Sequence, residues 1–137
     1  MRGPEGRLSK APLVAIVEDD DFFRASMRRL MRSLGYTVET FPSAAEFLAS
    51  RRLDDTACLI ADIQMPGMTG VELYTRLIEA GHKIPTILVT AYPDEAGRAR
   101  ALKDGIVCYL LKPFDDNDLM VCVEKAVESG KPPAENS

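Results

Sequence analysis

Apolar positions along the chain follow two alternating rhythms. Leu13-Val14-Ala15-Ile16-Val17 is apolar on both faces of an extended segment, the pattern of a central strand covered by helices on either side. It stops at Glu18-Asp19-Asp20-Asp21, after which Phe23, Met27, Leu30 and Leu34 recur at helical spacing and Gly35 stands where a helix should end. Tyr36-Thr37-Val38-Glu39-Thr40 alternates, which predicts an edge strand with one wetter face. Ser43 with Glu46 forms a capping-box pair that opens a short helix to about Ser50. Ala57-Cys58-Leu59-Ile60-Ala61 is a second fully apolar strand, ending at Asp62. Past a loop with Pro66 and Gly67, Thr69 and Glu72 offer another capping box, and Val71, Tyr74, Leu77 and Ile78 mark a helix closed by Gly81. Thr86-Ile87-Leu88-Val89 predicts a strand followed by Thr90, and 94–103 a weakly amphipathic helix stopped near Gly105. The last strand is predicted over 106–111 and the last helix over 115–127, with Leu119, Val123, Ala126 and Val127 facing inward.

Five strands, each followed by a helix and joined by short connections, imply a parallel sheet with right-handed crossovers and helices on both faces. The 137 residues suffice for one domain, read here as 12–129, between a loose polar segment at 1–11 and a flexible tail or linker at 130–137. A net charge of -4 disfavours a nucleic-acid-binding surface. Apolar runs such as 106–111 are too short to span a bilayer, and 1–6 lacks the apolar stretch of a secretory signal. Three cysteines without close spacing fit a reduced, cytoplasmic protein better than a disulfide or zinc framework.

Ligands of open α/β sheets bind outside the carboxyl ends of the strands, near the point where strand order reverses. The first strand delivers Glu18 and Asp19 there, the third Asp62, the fourth Thr90 and the fifth Lys112. Three converging carboxylates repel one another, so they need a cation or shifted pKa values. Hard oxygen ligands, few in number and open to water, suit Mg²⁺. With a lysine and a hydroxyl beside it, such an ion equips a site for phosphoryl transfer, and a carboxylate can itself be the nucleophile. Asp62, alone at its strand end, is the candidate.

Four segments carry a family resemblance: Val17-Glu18-Asp19-Asp20, Ala61-Asp62-Ile63-Gln64-Met65-Pro66-Gly67-Met68-Thr69-Gly70, Val89-Thr90-Ala91 and Tyr109-Leu110-Leu111-Lys112-Pro113-Phe114. In this order, with 43 residues from Asp19 to Asp62, 28 to Thr90 and 22 to Lys112, they resemble the receiver domains of response regulators, over about 12–129. The run from Thr90 to Ala96 is most similar to the nitrogen-fixation type. The resemblance implies a flavodoxin-like (βα)5 fold with strand order 2-1-3-4-5. It implies that Asp62 accepts a phosphoryl group from the phosphohistidine of a sensor kinase or phosphotransfer protein. Glu18, Asp19, Asp62 and the Gln64 backbone carbonyl would hold Mg²⁺, Lys112 and the Thr90 hydroxyl would bind phosphoryl oxygens, and Tyr109 would move inward with Thr90. The surface of the fourth helix, fifth strand and fifth helix would change, switching contacts with a downstream protein target or a homodimer partner. The bond before Pro113 would be cis.

The chain departs from the family pattern in carrying Glu18 where many relatives have Asp. Gln64 has no proton to exchange at neutral pH, and Tyr92 is placed to shield the phosphate, so a slowly hydrolysing aspartyl phosphate is expected. Asp20 and Asp21 read as helix caps, and Arg24, Arg28 and Arg32 as a solvated stripe that could also meet an acidic partner. His82 reads as an ordinary loop residue, and Cys58, Cys108 and Cys122 as small core residues. Two other functions compete: a haloacid-dehalogenase-like phosphatase, which needs an acid where Gln64 stands, and a receiver-like interaction module that works without phosphorylation. The initiator methionine and hydrophilic tail favour a stand-alone regulator.

Overall fold

The computed structural model describes residues 11–130, so the loose ends expected at 1–11 and 130–137 lie, apart from one residue each, outside the described residues. The chain runs β1 (Leu13–Val17), α1 (Asp21–Ser33), β2 (Thr37–Phe41), α2 (Ala44–Leu48), a 3-10 turn (Leu53–Asp55), β3 (Thr56–Asp62), α3 (Gly70–Glu79), β4 (Thr86–Thr90), α4 (Glu95–Lys103), β5 (Cys108–Leu111) and α5 (Asp116–Ser129). All strand pairs are parallel, and the sheet order is β2-β1-β3-β4-β5. The order reverses between β1 and β3, which therefore lie side by side at the point where such sheets bind ligands.

Apolar side chains cover both faces of the sheet. Val14, Ile16, Cys58, Ile60, Ile87 and Val89 point to one side and pack under α1 and α5 through Met27, Met31, Leu119 and Val123. Ala15, Val17, Leu59, Ala61 and Leu88 point to the other and meet α2, α3 and α4 through Phe47, Leu73, Leu77 and Ala101. This two-sided burial is why β1, β3 and β4 read as unbroken apolar runs.

The helix starts use the caps the sequence offered. Asp20 accepts the Phe23 N–H at 2.9 Å, and Thr69 and Glu72 close a reciprocal box at 2.9 and 3.1 Å. Ser43 makes only the first half of its expected box, accepting the Glu46 N–H at 3.2 Å. Gly35 takes φ +97° just past α1, a conformation that favours glycine.

Two expectations need correction. The buried stripe of α3 is Gly70, Leu73 and Leu77, while Val71 and Ile78 flank it and are exposed. The apolar run at 106–107 precedes β5 and is not part of it: Ile106 is buried as core, but the strand covers four residues. On α5 the expected inward set holds: Leu119, Val123 and Ala126 are buried with Cys122, and Val127 packs half-buried against the same cluster. Among the described residues, no helix is long and apolar enough to cross a membrane.

Candidate functional site

The acids of the site sit at the ends of two neighbouring strands. Val17 pairs with Ala61, so Glu18 and Asp62, one residue further along each strand, emerge together at the carboxyl end of the sheet. Carboxylate oxygens of Glu18, Asp19 and Asp62 lie within 4.8 Å of one another. Glu18 is fully buried and Asp62 nearly so, whereas Asp19 is exposed. Lys112 closes the group from β5. Its backbone N–H donates to the Thr90 carbonyl at 2.7 Å, and its Nζ lies 3.0 Å from Glu18 Oε1 and 3.6 Å from Asp62 Oδ2. The Lys112–Pro113 bond is cis, as the resemblance implied.

Burial dominates the electrostatics. It pushes the Glu18 carboxyl up to about 7, against the Asp20 N–H bonded to Oε2 at 3.1 Å and the Lys112 ammonium. Burial also raises the Asp62 carboxyl, with Lys112 opposing. One ammonium facing three acids leaves the group short of positive charge, and all three acids offer hard oxygen donors. That donor set fits a small divalent cation of the magnesium class.

The structure places three supporting contacts that residue types alone did not reveal. The Lys112 ammonium stands 4.2 Å from the centroid of the Phe23 ring, which packs edge-on against Phe114. Arg24 is not part of a free stripe: its Nη1 donates to the Glu18 carbonyl at 2.7 Å and its Nη2 pairs with Asp21 at 2.6 Å, while Arg28 and Arg32 remain exposed. The Thr90 hydroxyl donates to Gln64 Oε1 at 2.6 Å and accepts the Tyr92 N–H at 3.0 Å. The spacing of Arg24 one turn into α1 could have signalled its contact; nothing in the sequence signals the bond between Gln64 and Thr90.

A close backbone approach fixes the loop after Asp62. A Cβ built on Gly70 would lie 2.5 Å from the Asp62 carbonyl oxygen, so only glycine lets α3 begin there. Tyr109 is half-buried and lines a cavity of about 400 Å³ with Ile63, Gln64 and Tyr92. The Tyr92 ring is exposed, and its link to Thr90 runs through its backbone N–H. His82 lies at the opposite end of the sheet, paired with Asp54 at 3.0 Å. Cys58 and Cys122 are buried and Cys108 half-buried, all as free thiols.

Residues 14–124 match the response regulator receiver domain. The chain belongs to the response regulator receiver family. It is 39% identical over 127 residues to nodulation protein W of Bradyrhizobium diazoefficiens, covering 93% of this chain and 56% of that protein. Identity to the transcriptional regulatory protein FixJ of the same organism is 31% over 123 residues, or 90% of this chain and 60% of FixJ. A crystal structure of FixJ-N superposes with a TM-score of 0.79 at 32% identity, covering 90% of this chain and 98% of that one. The receiver thus spans little more than half the length of these curated relatives. Its five-stranded 2-1-3-4-5 sheet is the CheY-type fold of the family, a family of response regulators of two-component systems.

Proposed function

We propose that this receiver is a phosphoacceptor switch in which Asp62 takes a phosphoryl group from the phosphohistidine of a sensor kinase or phosphotransfer protein. A carboxylate oxygen of Asp62 attacks phosphorus, the bond between phosphorus and the histidine nitrogen breaks, and the imidazole leaves with that electron pair. The observation that carries this reading is Lys112 Nζ reaching both Glu18 and Asp62, at 3.0 and 3.6 Å, from the far side of the sheet. An ammonium so placed can follow the new charge and pair with a phosphoryl oxygen. Glu18, Asp19, Asp62 and the Gln64 carbonyl would hold Mg²⁺, which supplies charge neutralisation on the phosphoryl oxygens. The Thr90 hydroxyl binds a second phosphoryl oxygen, and Tyr109 follows into the cavity it lines, changing the face of α4, β5 and α5 that a downstream protein or a second copy reads. The chain acts catalytically only on its own phosphorylation and dephosphorylation, and hydrolysis is slow because Gln64 neither gives nor takes a proton. Free thiols at Cys58, Cys108 and Cys122 suit work in the cytoplasm.

Intact mass after incubation with a small acyl phosphate and Mg²⁺ tests the proposal. One phosphoryl group is expected on the protein, and none on Asp62→Asn or without the metal. No gain, or an equal gain in Asp62→Asn, overturns it. Partner binding indifferent to metal and to Asp62→Asn would then favour an interaction module that works without phosphorylation.

A further inference from the structure

We propose that the Gln64 side chain is a latch: it holds the Thr90 hydroxyl in the unphosphorylated state and so sets how readily the switch turns. This rests on the phosphoacceptor reading above. Thr90 is fully buried at the end of β4, and its hydroxyl has a single proton to donate. That proton is committed to Gln64 Oε1 at 2.6 Å, while the Tyr92 N–H occupies a lone pair at 3.0 Å. A hydroxyl bound in this way cannot donate to an oxygen on Asp62 until the Gln64 bond breaks. The Tyr92 bond uses the oxygen as acceptor and can persist throughout.

The two ends of the latch are held differently. Gln64 leaves the strand two residues after Asp62, and the Ile63 N–H is tied to the Val89 carbonyl at 2.9 Å, so the loop presents Gln64 to the end of β4. Yet the Gln64 side chain is exposed and can turn to water when the bond opens. An amide does not titrate, so the strength of the latch does not depend on pH through Gln64. Were the bond to Gln64 kept in the bound state as well, removing its acceptor would instead leave ligand binding unchanged or weaker.

Beryllofluoride, which occupies the phosphoryl position on a carboxylate, tests this on the full chain with Mg²⁺, titrated by amide NMR shifts. Gln64→Met keeps the length of the side chain and the backbone carbonyl but removes the acceptor; Gln64→Ala is the second variant. Both should bind beryllofluoride about three- to tenfold more tightly than the parent, the fold-change of one modest hydrogen bond. In a Thr90→Ala background the same substitutions should change nothing, since the latch has lost its partner. In ligand-free Gln64→Met, the Tyr109 ring signals should move part-way toward their bound positions. Unchanged or weaker binding in both variants, or an equal gain in the Thr90→Ala background, overturns the latch. Beryllofluoride binding to Asp62→Asn as well as to the parent, or to neither, overturns the phosphoacceptor reading and the latch with it.

Discussion

Every residue of β1 and all but one of β3 are buried, whereas α4 buries a single side chain, Ala101, and β5 buries none. The contrast follows from position and sequence. β1 and β3 lie inside the sheet with helices on both faces, so each apolar residue finds a partner whichever way it points. β5 is an edge strand, and α4 (Glu95–Lys103) buries only Ala101 in a run otherwise rich in charged residues, alanine and glycine. The acids that would receive charge stand on the strongly buried pair of strands, and Lys112 reaches them from the lightly buried flank. α4, which buries only Ala101, would lose little packing in the shift that the proposed switch requires of it.

Truncations on the two sides should differ most in magnitude. Leu73→Ala empties a fully buried site on α3 and should cost about 3 kcal/mol, while Leu102→Ala, at a half-buried position of the mostly exposed α4, should cost about 1 kcal/mol. Urea unfolding of the two variants checks this, and equal losses would mean that α4 is as firmly anchored as the centre.

A pH series sharpens the contrast at the buried end. With Glu18 raised from 4.5 to about 7, both folded and unfolded chains hold its proton below pH 4.5, and no penalty appears. Between 4.5 and 7 the unfolded chain releases the proton first, so stability falls as pH rises; above 7 the penalty is constant. In metal-free buffer, Glu18→Gln should therefore remove on the order of 2 kcal/mol of the stability that the parent loses between pH 5 and pH 8. Urea unfolding of both proteins at the two pH values measures it. A parent that loses no more than the variant would show that Lys112 and the Asp20 N–H fully offset the burial of Glu18.

How much of this was legible without coordinates divides along the same line. The buried strands announce themselves as Leu13-Val14-Ala15-Ile16-Val17 and Ala57-Cys58-Leu59-Ile60-Ala61 because two-sided burial forces every position to be apolar. Their ends therefore place Glu18, Asp19 and Asp62 together, and the strand spacing brings Lys112. At the edge the pattern misleads: Ile106 and Val107 look like strand but only lead into β5, since a buried side chain at a sheet margin need not belong to a ladder. Two side-chain contacts at the site were not legible. The contact from Thr90 to Gln64 spans 26 residues and the stacking of Lys112 on Phe23 spans more, and both depend on rotamers that periodicity does not encode.

The smallest expected effect tests the lightly buried flank alone. Asp94 caps α4 by accepting the Gly97 N–H at 2.9 Å, and its carboxylate fills the space a Cβ on Gly97 would need. Asp94→Ala removes the cap without opening the core, and a lost cap of this kind costs about 1 kcal/mol or less. Because α4 is held by Ala101 and little else, that loss should appear as fraying of its first turn. Hydrogen exchange should therefore quicken at the Gly97 and Arg98 amides several-fold more than at those of Val14 to Val17. A uniform change across both regions would mean that α4 opens only when the whole domain does, leaving no independent flank for phosphorylation to move.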